Sequence, residues 1–172
     1  MHFVFLAAGK GSRIFKKINT NKCLIKVFGK SIIERLINNV PLKNRKNITI
    51  VTGFNRKAIL NETKKFHVNY IHNSKYNKTE MVETLRLALE KINDDIVFSY
   101  TDILYGEKII QKILRKKINN ITIPVNTNWK KIWRIRKKPI YKDAESLIIN
   151  RNLIREIGEK INKITYVDGQ FM

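Results

Sequence analysis

Residues Phe3 to Arg13 run F-V-F-L-A-A-G-K-G-S-R, an apolar stretch that ends in two alanines and breaks into Gly9-x-Gly11-x-Arg13. Glycines carry no Cβ, so their loop can bring backbone N–H groups close against an anion. Arg13, two residues past the second glycine, adds a rigid cationic fork that matches phosphate oxygens. The stretch is therefore a candidate phosphate-binding loop at the end of a first strand. Its spacing excludes the two commonest glycine loops. A Walker A loop needs Gly-x4-Gly-Lys-Ser/Thr, and a dinucleotide fingerprint needs a third glycine where this chain has Ile14.

Other residues carry chemistry farther along. Asp102 directly follows the apolar run at 95–100, and a carboxylate at the carboxyl end of a parallel strand suits a phosphate-bound Mg²⁺. The competing role is an N-cap for the helix near 106. Asn73 offers a donor and an acceptor at once, suited to a pyrimidine edge, and Thr79 with a helix start could hold a ribose or phosphate. Trp129 and Trp133 stand at an i, i+4 interval, able to form an indole face for a cationic headgroup or simply to fill a core. Asp143 and Glu145, two apart on an extended strand, would point the same way and pair with an amine or a second metal. His2, His67 and His72 lack metal-ligand spacing, and the lone Cys23 reads as a packing residue.

Apolar periodicity supplies the elements that must position these groups. Strands are expected at 2–8, 48–52, 68–72 and 95–100. Helices are expected at 31–40, where Ser31 and Glu34 form a capping box, near 55–66, at 80–92 with Thr79 as cap, and at 106–117. That βαβαβαβα order predicts an α/β, Rossmann-like three-layer sandwich with a mainly parallel sheet. Ligands in such sheets bind beyond the carboxyl ends of the strands, where the opening loop lies. Further strands are expected at 120–125, 131–136, 145–150 and 153–157. Residues 129–160 break the rhythm and are expected to form a small β-rich lid on the substrate side of a single 1–172 domain.

The 172 residues suit one domain, and no apolar run approaches the roughly 20 residues of a membrane helix. A single cysteine and no leader-like start suggest a cytoplasmic protein. The net charge of +21 invites a nucleic-acid partner. Its lysines, however, are scattered and accompany abundant isoleucine and asparagine, so anionic small molecules are the more economical account.

The pattern L-A-A-G-x-G-x-R, an insert, then Lys22-x-Leu24 resembles the nucleotidyltransferase superfamily that activates sugar and alcohol phosphates with an NTP. The resemblance implies that Leu6, Ala7, Ala8, Gly9 and Gly11 wrap the nucleotide and that Arg13 and Lys22 hold its phosphates. Asn73 and Thr79 would then read the base and sugar, and Asp102 would bind Mg²⁺. Asn21 departs from the proline that often precedes the family lysine. The tract from Asn73 to Met81 is similar to cytidylyltransferases. The order W-x3-W-x2-R, Pro139, Asp143-Ala144-Glu145, then I-x-E-I-G and G-Q-F is similar to the branch acting on phosphocholine or aminoalkylphosphonates. That similarity implies CTP and a phosphorylated or phosphonate small molecule as partners, with Trp129, Trp133, Arg136, Asp143 and Glu145 on the substrate side. A homodimer or an associated partner enzyme is left open. The resemblance implies a second metal-binding acid beyond Met172, so a shortened form is expected, or Asp143, Glu145, Asp168 or a partner supplies that ligand. This leaves a nucleotide-binding domain without turnover as one alternative, and a basic RNA-binding protein as another.

Overall fold

The apolar run at the amino end forms a central strand packed on both faces, and it is accordingly apolar on both. Strand β1 (His2–Ala7) lies between β4 (Ile48–Thr52) and β6 (Ile96–Tyr100), and β5 (Asn69–His72) borders β4. All three pairings are parallel, and the sheet order is β5-β4-β1-β6. The computed structural model describes residues 1–11, 20–116, 121–135, 144–162 and 167–171. These form two compact units, 1–115 and 116–172.

Side chains alternate across the first unit's sheet. Phe3, Phe5, Ile48 and Ile50 face one way, against α1 (Ile32–Asn39), α2 (Arg56–Thr63) and α4 (Glu107–Arg115) through Ile33, Leu36, Ile37, Ile59 and Ile110. Val4, Leu6, Val51 and Ile71 face the other way, against Ala88 and Leu85 of α3 (Met81–Leu89). Helices on both faces of a parallel sheet make the three layers expected from the residue pattern. Ser31 caps α1, its hydroxyl accepting from the Glu34 N–H at 3.2 Å. A short hairpin, β2 (Lys26–Val27) with β3 (Lys30–Ser31), precedes that helix.

Thr79 does not cap α3, contrary to expectation. Glu80 takes the N-cap position without a side-chain bond, because the Thr79 hydroxyl is committed to the Lys75 carbonyl and the Asn73 amide.

In the second unit, β8 (Glu145–Asn150) and β9 (Leu153–Lys160) form an antiparallel hairpin, and β7 (Val125–Asn126) pairs with β10 (Gln170–Phe171). The strand expected at 131–136 is instead helix α5 (Trp129–Ile135). A turn at Asn126–Asn128 starts it, and the i, i+4 spacing of Trp129 and Trp133 then puts both indoles on one helical face. Of the strand expected at 120–125, only Val125 is extended and paired among the described residues.

Candidate functional site

The chain runs from β1 outward to β4 and β5, then returns to the other side of β1 as β6. The carboxyl ends of β1 and β6 therefore flank the point where strand order reverses, the usual ligand crevice of an open α/β sheet. The glycine loop leaves β1 there, and Thr101 and Asp102 leave β6 beside it. The Thr101 hydroxyl donates to the Leu6 carbonyl at 2.9 Å, tying the two strand ends together.

Lys22 completes this corner. It opens a single 3-10 turn (Lys22–Leu24), and its Nζ lies 3.0 Å from Asp102 Oδ2. Gly11 has a left-handed backbone (φ +64), and a Cβ there would fall 2.8 Å from the Lys22 stem. Glycine thus lets the lysine cross the loop. The two charged side chains keep 23% and 46% of their surface exposed. A pair this wet contributes only about 0–1 kcal/mol to stability, so little holds the two charges from a ligand.

The loop is braced from behind. Asn21, 2% exposed, donates its side-chain amide toward the carbonyls of Ala7 (3.2 Å), Gly9 (3.3 Å) and Phe54 (3.2 Å). Its Oδ1 accepts from the Cys23 N–H at 3.1 Å and so caps the turn that carries Lys22. The Phe54 N–H donates to the Ala8 carbonyl at 2.9 Å. Cys23 itself is buried, and burial pushes its thiol up to about 12, leaving an inert packing group.

Beside the loop opens a cleft of 480 Å³ lined by Lys10, Gly11, Phe54, Tyr76, Asn77, Thr79 and Glu80. Phe54 and Tyr76 meet with ring centroids 6.3 Å apart at 58°. Gly53 makes this wall fit: a Cβ there would stand 2.6 Å from both the Ala8 carbonyl oxygen and Tyr76 Cβ. Asn73, expected to read a base, is 2% exposed and spends its amide on the Thr79 and Thr84 hydroxyls at 3.0 and 3.1 Å. Its Oδ1 accepts from the Lys75 N–H. The side chain braces the cleft wall, and of the pair only Thr79 lines the cleft.

Chain similarity decides what this corner belongs to. The model of the MobA-like NTP transferase domain matches residues 3–159.

This chain belongs to that family.

The chain is 30% identical to CTP:phosphoglutamine cytidylyltransferase of Campylobacter jejuni over 100% of its own length and 71% of the relative's. It is 31% identical to the choline-phosphate cytidylyltransferase of Haemophilus influenzae over 74% of its length, and that match covers 59% of the relative. The inositol-1-phosphate CTP transferase from T. maritima shares its fold, with a TM-score of 0.73 at 15% identity, over 99% of this chain and 67% of that one.

The loop residues Leu6 to Gly11, Lys22 and Asp102 converge, with Asn73 and Thr79 on the neighbouring wall. Arg13, Arg136 and Asp143 lie outside the described residues. Trp129, Trp133 and Glu145 stand in the second unit. There Trp129 is 3% exposed among Ala144, Leu147, Ile161 and Val167, with Trp133 packed edge-on at 5.7 Å. The tryptophans form core rather than an open indole face. Glu145 is exposed, its backbone gripped by the Gln170 side chain. Gly53, Phe54 and Tyr76 are not among the residues expected at the site, and Asn21 is marked in the sequence only by its departure from proline. The run V-T-G-F at the end of β4 held a signal for two of them, since a glycine leaving a central strand marks close backbone approach.

Among the described residues no helix is long and apolar enough to cross a membrane.

Proposed function

We propose that this nucleotidyltransferase moves a cytidylyl group from CTP to the phosphate or phosphonate oxygen of a small acceptor, releasing pyrophosphate. The observation that carries the proposal is the meeting of the glycine loop, Lys22 and Asp102 where the strand order reverses. The names of the two similar cytidylyltransferases favour CTP and a phosphorylated amine-bearing acceptor. The ionised acceptor oxygen attacks the α-phosphorus in line. A new P–O bond forms as the bond to the β-phosphate breaks, and the electron pair leaves with pyrophosphate. No proton has to move, so the work lies in positioning and charge neutralisation.

Ala8, Gly9 and Gly11 offer the triphosphate a backbone cradle, and Lys22, with Arg13, stabilises charge on the α-phosphate and leaving group. Phe54 and Tyr76 give the cleft an aromatic wall on which a base can stack. A magnesium ion suits Asp102, an exposed single carboxylate that leaves coordination positions to phosphate oxygens and water. Among the described residues no group of three or more His, Cys, Asp or Glu forms a closed metal cage. Bound there, Mg²⁺ would neutralise triphosphate charge. The acceptor's charged groups are assigned to Arg136, Asp143 and Glu145, with Trp129 and Trp133 as support for that stretch of chain. The cytoplasm is the compartment we assign, where CTP is available and a lone free cysteine stays reduced.

The test is pyrophosphate release across a panel of NTPs with Mg²⁺, with and without phosphocholine, phosphoglutamine, aminoethylphosphonate and glucose 1-phosphate. Release that requires CTP and one phosphorylated acceptor, and stops on chelation of the metal, is the expected result. Preference for another NTP would correct the base. Nucleotide binding without release under every condition would reject the reaction.

A further inference from the structure

We infer that Asn21 is a positioning residue for the nucleotide's phosphates, setting the glycine loop and Lys22 in one frame. The inference rests on the proposed nucleotide site and assigns work to a side chain that the residue pattern marks only as a departure. A primary amide has two N–H donors and one acceptor oxygen. Asn21 shares the donors among the carbonyls of Ala7, Gly9 and Phe54, and its oxygen takes the Cys23 N–H. One buried side chain therefore links the end of β1, the exit of β4 and the turn that begins with Lys22.

The direction of these bonds matters more than their number. In a trans peptide the N–H points opposite to the carbonyl. Asn21 draws the Ala7 carbonyl inward, and the Phe54 N–H does the same to the Ala8 carbonyl. The Ala8 and Gly9 N–H groups are thereby turned to the opposite side of the loop, as an anion cradle requires. The same side chain holds the turn from which Lys22 reaches across Gly11 to Asp102. A hydrophobic residue at position 21 could fill the space but could not orient three carbonyls. Asn21 touches no substrate. It acts through the loop and the lysine.

Asn21→Asp tests this most sharply, because it keeps the shape and the acceptor for Cys23 but removes both donors and sets a carboxylate against three carbonyls. Asn21→Ala is the second variant, without the added charge. At about pH 8, Asn21→Asp is expected to lower kcat/KM for the nucleotide about 100-fold, the scale of misplaced catalytic groups. Inorganic tripolyphosphate affinity should fall about tenfold in both variants, while affinity for the nucleoside cytidine stays within about twofold. Burial raises the pKa of the introduced carboxyl, so on lowering the pH to about 6 its protonation should restore a donor and part of the lost turnover relative to wild type. Equal losses of tripolyphosphate and cytidine affinity, or a variant-to-wild-type ratio flat across that pH range, would mean a merely structural residue. Unchanged tripolyphosphate binding in both variants would also overturn the inference. Wild-type protein that binds tripolyphosphate but releases no pyrophosphate from any NTP would instead overturn the proposed reaction. Absence of tripolyphosphate binding in wild type would overturn both.

Discussion

Lys22 and Asp102 meet across a solvent-open gap, and their exposure separates their value to the fold from their value to the site. A wet pair with one member removed should shift stability by less than about 1 kcal/mol. In the proposed reaction the same charges face phosphate and metal in a filled crevice, where solvent no longer screens them. Lys22→Ala and Asp102→Ala are therefore each expected to cut pyrophosphate release by at least about 100-fold while leaving the unfolding midpoint nearly unchanged. Steady-state assays paired with thermal melts check both halves, and retained turnover in either variant would remove that residue from the reaction. Residue types alone singled out the glycines and Asp102, although a turn and a helix cap are ordinary uses of the same residues. They marked Asn73 as a base reader and Asn21 only as a departure from proline. Both are asparagines with the same donor–acceptor inventory, and only the geometry of their partners tells a ligand reader from a brace.

At the scale of elements, the site depends on how closely β1, β4 and β6 deliver their loops to one corner. Gly53 is the tightest point, so Gly53→Ala should cost about 1–3 kcal/mol through overpacking. By pushing on Ala8 it should also weaken nucleotide binding, which distinguishes it from a core change such as Leu36→Ala. Denaturant midpoints and nucleotide titrations of the two variants would show the contrast, and intact nucleotide affinity in Gly53→Ala would refute it. The other end of the sheet carries a pH dependence. His2 Nε2 meets Thr49 Oγ1 at 2.8 Å, joining β1 to β4, and burial lowers the ring's pKa below 6.5. The fold thus favours the neutral ring. Its contribution is present above about pH 6.5 and is lost as the pH falls through that value toward the folded-state pKa. The stability difference between wild type and His2→Gln should accordingly shrink from about pH 7.5 to about pH 5.5 in urea titrations. A difference constant with pH would exclude this role. Strand and helix order in the first unit was legible because its apolar runs alternate cleanly between periods of 2 and 3.6. Helix α5 was not, since aromatic and β-branched residues favour strands locally while the packing of Trp129 and Trp133 selects a helix.

For the molecule as a whole, a charge of +21 says more about its surroundings than about its chemistry. Its family membership is carried instead by a match from residue 3 to residue 159. Sequence by itself determined the parallel three-layer architecture, the glycine-bearing loop that ends the first strand at residues 6–11 and the acidic strand end at Asp102. Each is a local property, set by periodicity, by a missing Cβ or by a carboxylate at the end of an apolar run. Only tertiary structure decided that Lys22, 80 residues from Asp102 along the chain, sits at hydrogen-bond distance from it. Tertiary structure likewise enclosed Trp129 in a core, brought Gly53 against Ala8, and placed Asn21 behind the loop. Those facts depend on which side chains and backbone groups the assembled elements bring within reach of one another, and no spacing along the chain encodes that directly.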